Sequence, residues 1–187
     1  MDEPAELLTS ERVELRQWRV SDLDALDRAI RESRDHLLPW MPWAADHSRR
    51  NTAEFLARKR EEWTTGQTYD YAIRVDSTVV GSCGLMRRIG AGGLEIGYWL
   101  HPGWCGQGVA TTAVRLLVGQ GFRLADVDRI EIHHDAANSA SGAVAHRAGF
   151  TEVARAEKPE GPTAPGEVGT EVVWRMTADE WADGEFR

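Results

Sequence analysis

RVELRQW (12–18) alternates apolar and polar positions, the period-two pattern of a strand with one buried face. The next run, SDLDALDRAIRES, changes to helical spacing, with Ser21 placed as its cap and acids in its first turn. Two prolines then interrupt the apolar, tryptophan-bearing HLLPWMPWA (36–44). Residues 49–66 are polar and predict a helix, with Phe55, Leu56 and Trp63 on a narrow stripe. TYDYAIRV (68–75) and TVVGSCGLMRRI (78–89) predict two strands joined in a short hairpin at Asp76-Ser77. GGLEIGYWL (92–100) predicts a third. A glycine-rich turn, HPGWCGQG, leads into a predicted helix from Val109 to Leu124. RIEIHH (129–134) reads as a strand, and Asn138 or Ser139 caps a helix that ends near Gly149. FTEVARAE (150–157) and GTEVVWRM (169–176) are the last two strands, separated by the long Pro- and Gly-rich loop KPEGPTAPGEV.

The resulting order, β-α-α-βββ-α-β-α-ββ, predicts a mixed α/β domain with an antiparallel start. The strand–helix–strand unit 93–134 predicts a crossover between two parallel strands. Ligands favour the carboxyl ends of such strands, where the glycine turn lies. No internal repeat or linker divides the chain, so residues 1–187 are expected to form a single domain.

Composition narrows the function without choosing it. A net charge of −8 disfavours nucleic acid as the main partner, because phosphate backbones call for basic patches. No apolar run approaches the roughly 18 residues of a membrane span. The acidic start, MDEPAELLTSERVEL, lacks the layout of a secretion signal. Two cysteines, Cys83 and Cys105, make no disulfide framework, and no set of four metal ligands clusters. A cytoplasmic protein with no nucleic-acid, membrane or metal partner is expected.

Three glycines, Gly103, Gly106 and Gly108, precede the 109–124 helix with no lysine or arginine among them. A helix N-terminus carries unpaired N–H groups and partial positive charge, and glycines let a ligand approach the backbone. The turn can therefore hold an anion without basic side chains. A nucleotide P-loop is excluded, since no Gly-Lys-Ser/Thr follows. The spacing GxxGxG, after four strands, also departs from the dinucleotide fingerprint GxGxxG. The acidic residues near the distance that fingerprint needs, Asp126 and Asp128, fall ahead of the next strand rather than at its end. By itself the turn could also be no more than a route from strand to helix.

The segments around it carry a resemblance. EIGYWLHPGWCGQGVATTA, followed by NSASGAVAHRAGF (138–150) and preceded by LRQWRVSDLDAL (15–26) and HLLPWMPWA, resembles the GNAT superfamily of acyl-CoA-dependent N-acyltransferases, and within it the RimJ/RimL-like branch. The likeness covers nearly the whole chain. It implies a GNAT-type α/β fold: a mixed, mostly antiparallel twisted sheet, with a parallel strand pair splayed around acyl-CoA and helices on both faces. It implies acetyl-CoA as co-substrate and an amine acceptor, either a protein N-terminus or a small molecule; a homodimer is compatible with it. The loop pattern Q/R-x-x-G-x-G/A maps onto Cys105, Gly106, Gln107, Gly108, Val109 and Ala110, with Thr111 completing the run of backbone donors for the pyrophosphate. Cys105 stands where the family usually places Gln or Arg. Trp99 and Leu100, together with Asn138, are the implied contacts of the pantetheine arm, and His101 is a further candidate for cofactor binding.

The family reaction is direct attack of an amine on the acetyl thioester. A backbone N–H near Trp99–Leu100 would serve the oxyanion. Much of the superfamily gives the leaving thiolate a tyrosine; here the matching helix carries Ser141, read as a hydrogen-bond donor to sulfur. Glu95 shares a strand face with Gly97 and Trp99 and is the candidate base, acting through water. His101, His133, His134 and His146 are its rivals. Cys105 as a covalent nucleophile runs against the resemblance. Trp40 and Trp43 are expected to flank the acceptor. The alternative is a catalytically idle acyl-CoA-binding domain, which would need the loop amides but neither Glu95 nor Ser141.

Overall fold

The computed structural model describes residues 3–184. Its strands are β1 (Leu7–Ser10), β2 (Val13–Gln17), β3 (Thr68–Val75), β4 (Thr78–Met86), β5 (Gly93–Leu100), β6 (Arg129–Asp135), β7 (Thr151–Glu157) and β8 (Thr170–Thr177). The helices are α1 (Leu23–Leu37), α2 (Arg49–Thr64), α3 (Val109–Gly121), α4 (Ser139–Arg147) and α5 (Ala178–Asp183). Eight strands form one sheet in the order β1-β2-β3-β4-β5-β6-β8-β7. All neighbours are antiparallel except β5 and β6.

Alternation sorts the strand residues onto two faces. Tyr71, Ile73, Cys83, Leu85, Leu94, Ile96, Ile130 and Ile132 face one side, where Val109, Ala113, Val114 and Leu117 of α3 join them in the larger core. Ala72 faces the other side and packs with Trp18 and with Leu26, Ile30, Leu37 and Leu56 of α1 and α2. The Trp18 indole N–H donates to Ser82 Oγ on that face at 3.1 Å. Helices therefore cover both faces. The hairpin at Asp76-Ser77 forms as expected, both residues taking positive φ (49° and 67°), the geometry whose twist suits a two-residue loop.

Several local expectations change. Ser21 does not cap α1. A single 3-10 turn, Val20–Asp22, precedes that helix, and Asp22 accepts from the Arg19 backbone N–H at 2.8 Å. Helix α3 stops at Gly121, three residues early. β1 and α5 are additions. The loop after β7 is tied down: Gly166 N–H donates to the Pro39 carbonyl at 2.9 Å, and Ala164 is buried.

The parallel pairing positions the site. β5 and β6 pair at only three places, Gly93↔Arg129, Leu94↔Ile130 and Glu95↔Glu131. Beyond Glu95 and Glu131 the strands part, so the β6-facing edge of residues 96–100 runs along an opening instead of a ladder.

Candidate active site

The opening is the mouth of a cavity of about 1380 Å³. Small-ligand pockets usually hold roughly 300–1,000 Å³, so this one has room for a large ligand and a second molecule beside it. Trp99, Leu100, Cys105, Gly106, Gly108, Val109, Ala110, Thr111, Asn138, Glu95, Ser141, Trp40 and Trp43 all line it. His101 and Gln107 do not. Gln107 Nε2 turns back to the Gly103 carbonyl at 2.8 Å, and His101 Nδ1 accepts from Gly103 N–H at 3.0 Å. Both side chains brace the turn.

Gly106 and Gly108 have φ of +73° and +79°, and a Cβ built on either would meet nothing within 4 Å. The space before the loop is open, as a backbone cradle for an anion requires. The first helical bond runs from Thr112 N–H to the Gly108 carbonyl at 3.0 Å, so the N–H groups of Val109, Ala110 and Thr111 have no acceptor inside the helix. Cys105 Sγ lies 3.8 Å from His36 Nε2, and burial pushes its thiol up.

Glu95 and Ser141 stand on opposite faces of β5. Glu95 is buried, with 8% of its side chain exposed, and both its carboxylate oxygens accept from Arg88, Nε at 2.7 Å. Arg88 is 60% exposed and also lines the cavity. Ser141 lies in the first turn of α4, where its N–H donates to the capping Asn138 Oδ1 at 3.2 Å. Its Oγ is 2.9 Å from the hydroxyl of Tyr98, on the same face of β5 as Ile96. Burial pushes that phenol up to about 12, against a smaller lowering by Ser141.

The histidines separate by their bonds. Trp174 Nε1–H donates to His134 Nε2 at 2.9 Å, so the His134 proton sits on Nδ1, donating to the Asp135 carbonyl at 2.7 Å. Its ring is neutral and its lone pair is taken. His133 Nε2 lies 2.7 Å from Glu131, its Nδ1 3.5 Å from Glu171. Burial pushes the Glu131 carboxyl up, but hydrogen bonds from His133 and Arg175 outweigh this and hold it below its usual value. His133 and His134 line the cavity; His101 and His146 lie outside its lining. Asp126 and Asp128 also lie outside it, paired with Arg87 and Arg129. Trp43 packs against Trp99 with ring centroids 6.3 Å apart, forming an aromatic wall with Trp40 nearby.

The family model of the GNAT acetyltransferase domain matches residues 12–151. The chain belongs to the GNAT acetyltransferases. Within that family its likeness is to the RimJ/RimL-like branch. YdaF of Bacillus subtilis (strain 168), provisionally named a ribosomal N-acetyltransferase, is 24% identical over 151 residues, covering 79% of this chain and 82% of YdaF. The structure of RimL, a ribosomal L7/L12 alpha-N-protein acetyltransferase in complex with coenzyme A, superposes with a TM-score of 0.85 at 23% identity, over 94% of this chain and 99% of that one. Mycobacterium smegmatis RimJ, in complex with a CoA disulfide, gives 0.82 at 25% identity, over 93% and 86%.

Tyr98, Arg88 and Glu131 are the site residues that sequence reasoning missed. Each takes its meaning from a partner across strands or on another element, which spacing along the chain does not reveal.

Proposed function

We propose that this acetyltransferase is a cytoplasmic enzyme that moves the acetyl group of acetyl-CoA to a primary amine by direct attack within a ternary complex. The observation that carries the reading is the splayed β5–β6 pair: the glycine loop opens at its mouth, and Glu95 and Ser141 flank it from opposite faces. The N–H groups of 106–111 would hold the pyrophosphate. The free edge of 96–100 would pair with the pantetheine arm, and a backbone N–H near Trp99–Leu100 would meet the oxyanion. Ser141 hydrogen-bonds the sulfur. The acceptor enters from the side of Trp40 and Trp43, and Glu95 takes its proton through water once Arg88, the solvent-exposed partner, has swung away. Relatives named for ribosomal-protein acetylation favour a protein N-terminal amine over a small-molecule amine.

The bidentate Arg88–Glu95 pair favours one rival, an acyl-CoA-binding domain that does not turn over. Two measurements decide. Acetyl-CoA should raise the melting temperature and NADH should not; the reverse would sink the reading. Free CoA should then be released with at least one acceptor among N-terminal peptides, amino acids, polyamines and aminoglycosides. Binding without release from any of them would establish the idle domain.

A further inference from the structure

We infer that Tyr98 is a positioning residue that aims the Ser141 hydroxyl hydrogen into the cavity, toward the sulfur of the acyl donor. The inference rests on the acetyl-CoA reading above.

Tyr98 is partly buried and its side chain borders the cavity, and a phenol so placed takes a protein acceptor for its proton where one is in reach. Among the described residues, the two acceptors near the Tyr98 hydroxyl are both in Ser141: Oγ at 2.9 Å and the backbone carbonyl at 3.3 Å. The hydroxyl is the nearer, and the carbonyl lies within a helix, where the backbone ladder also uses it. With Tyr98 donating to Oγ, the hydrogen of Ser141 must point elsewhere. A serine at this place in a helix otherwise tends to bond back to a carbonyl three or four residues earlier, and Asn138 offers one. Tyr98 fills a lone pair of Oγ from the β5 side and favours the rotamer that faces the opening. Ser141 lines that opening.

A phenol is protonated at neutral pH in any case, and desolvation moves the ionisation of Tyr98 further up. Its proton therefore stays on Tyr98 throughout. When the carbon–sulfur bond breaks, the electron pair remains on sulfur, and the Ser141 O–H stabilises the thiolate by a hydrogen bond that Tyr98 polarises. No oxidant or reductant enters. The hydroxyl pair does from two elements what one tyrosine would do directly.

The test needs no acceptor. The thiol of CoA is titrated in the enzyme–CoA complex by its thiolate absorbance, with the spectrum of the protein without CoA subtracted. In the parent protein the bound thiol should ionise at lower pH than in Tyr98→Phe or Ser141→Ala. The double variant should match Ser141→Ala, because Tyr98 acts only through the serine. With an acceptor that turns over, Tyr98→Phe should lower kcat about threefold to tenfold, with KM for acetyl-CoA within about twofold. Should Tyr98→Phe fold poorly, fluorotyrosine at position 98, a stronger donor of the same shape, should lower the pH of ionisation further. A Tyr98→Phe titration identical to the parent's overturns the inference, as does an equal Tyr98→Phe effect with and without Ser141. Failure to bind CoA at all overturns the acetyl-CoA reading and this inference with it.

Discussion

Glu95 is a buried carboxylate held by an exposed arginine, and that asymmetry makes the pair separable. Releasing Arg88 returns its guanidinium to water but leaves the buried Glu95 carboxylate without a counter-charge, so the exchange is favourable only when another cation takes the vacated place. Glu95 has no such route and stays facing the cavity. In the proposed reaction an arriving ammonium takes the place of the guanidinium, one water away from the carboxylate that removes its proton. Glu95→Gln keeps the shape and loses the base. It should lower kcat about a hundredfold or more while leaving KM for acetyl-CoA nearly unchanged, read from initial rates of CoA release. Unchanged turnover would pass the role to His133, which also lines the cavity and has the buried carboxylate of Glu131 behind it.

At the scale of elements, the loop and α3 act together. Gly108 is the cap of α3 and sits in the left-handed region, where a Cβ costs about 1–2 kcal/mol. Because a Cβ there meets nothing, Gly108→Ala carries the backbone cost alone. Its melting temperature should fall by a few degrees, and acetyl-CoA should restore less of it than in the parent, as the strained turn presents its N–H groups off line. An equal shift with acetyl-CoA in both proteins would remove the loop from the binding site. The loop was legible in the sequence because its glycines and the helix that follows are neighbours along the chain. So were the longer strands, read as β-type runs set between turn residues. β1 has four residues and α5 six, too short for a period to show, although Thr177 and Glu180 form a capping box at the start of α5. The insertion of β8 between β6 and β7 depends on pairing between distant segments. The site divides in the same way. Ser141 came from a motif and Glu95 from its place along one strand, whereas the Tyr98–Ser141 contact joins residues 43 apart and left no mark on the sequence.

Across the whole molecule, one carboxylate ties the C-terminal half to the proline–tryptophan segment, the proposed acceptor side. Asp135 ends β6 and accepts from the backbone N–H groups of Ala137 at 2.9 Å, Val168 at 3.0 Å and Gly169 at 2.9 Å. Within the loop so anchored, Glu167 binds Lys158 and Thr163, and Gly166 reaches Pro39 in the proline–tryptophan segment. Trp40 is therefore held in place from β6 through the 158–169 loop. Burial pushes the Asp135 carboxyl up, but the three N–H groups, with Lys158, outweigh it and hold it below the usual range. A carboxyl lowered in the folded state contributes stability that is present above its unfolded value, about 3.9, and lost as pH falls through the folded one. Asp135→Asn would turn an amide NH2 toward donors, leaving at least one N–H unpaired. At neutral pH it should cost about 1–3 kcal/mol in urea unfolding. The gap from the parent should close as pH drops below the folded value of Asp135, where the parent carboxyl is itself protonated. The same variant should raise KM for the acceptor more than KM for acetyl-CoA, because the loop meets the Pro39 segment and not the glycine turn. A pH-independent stability gap, or equal changes in both KM values, would uncouple Asp135 from the acceptor side.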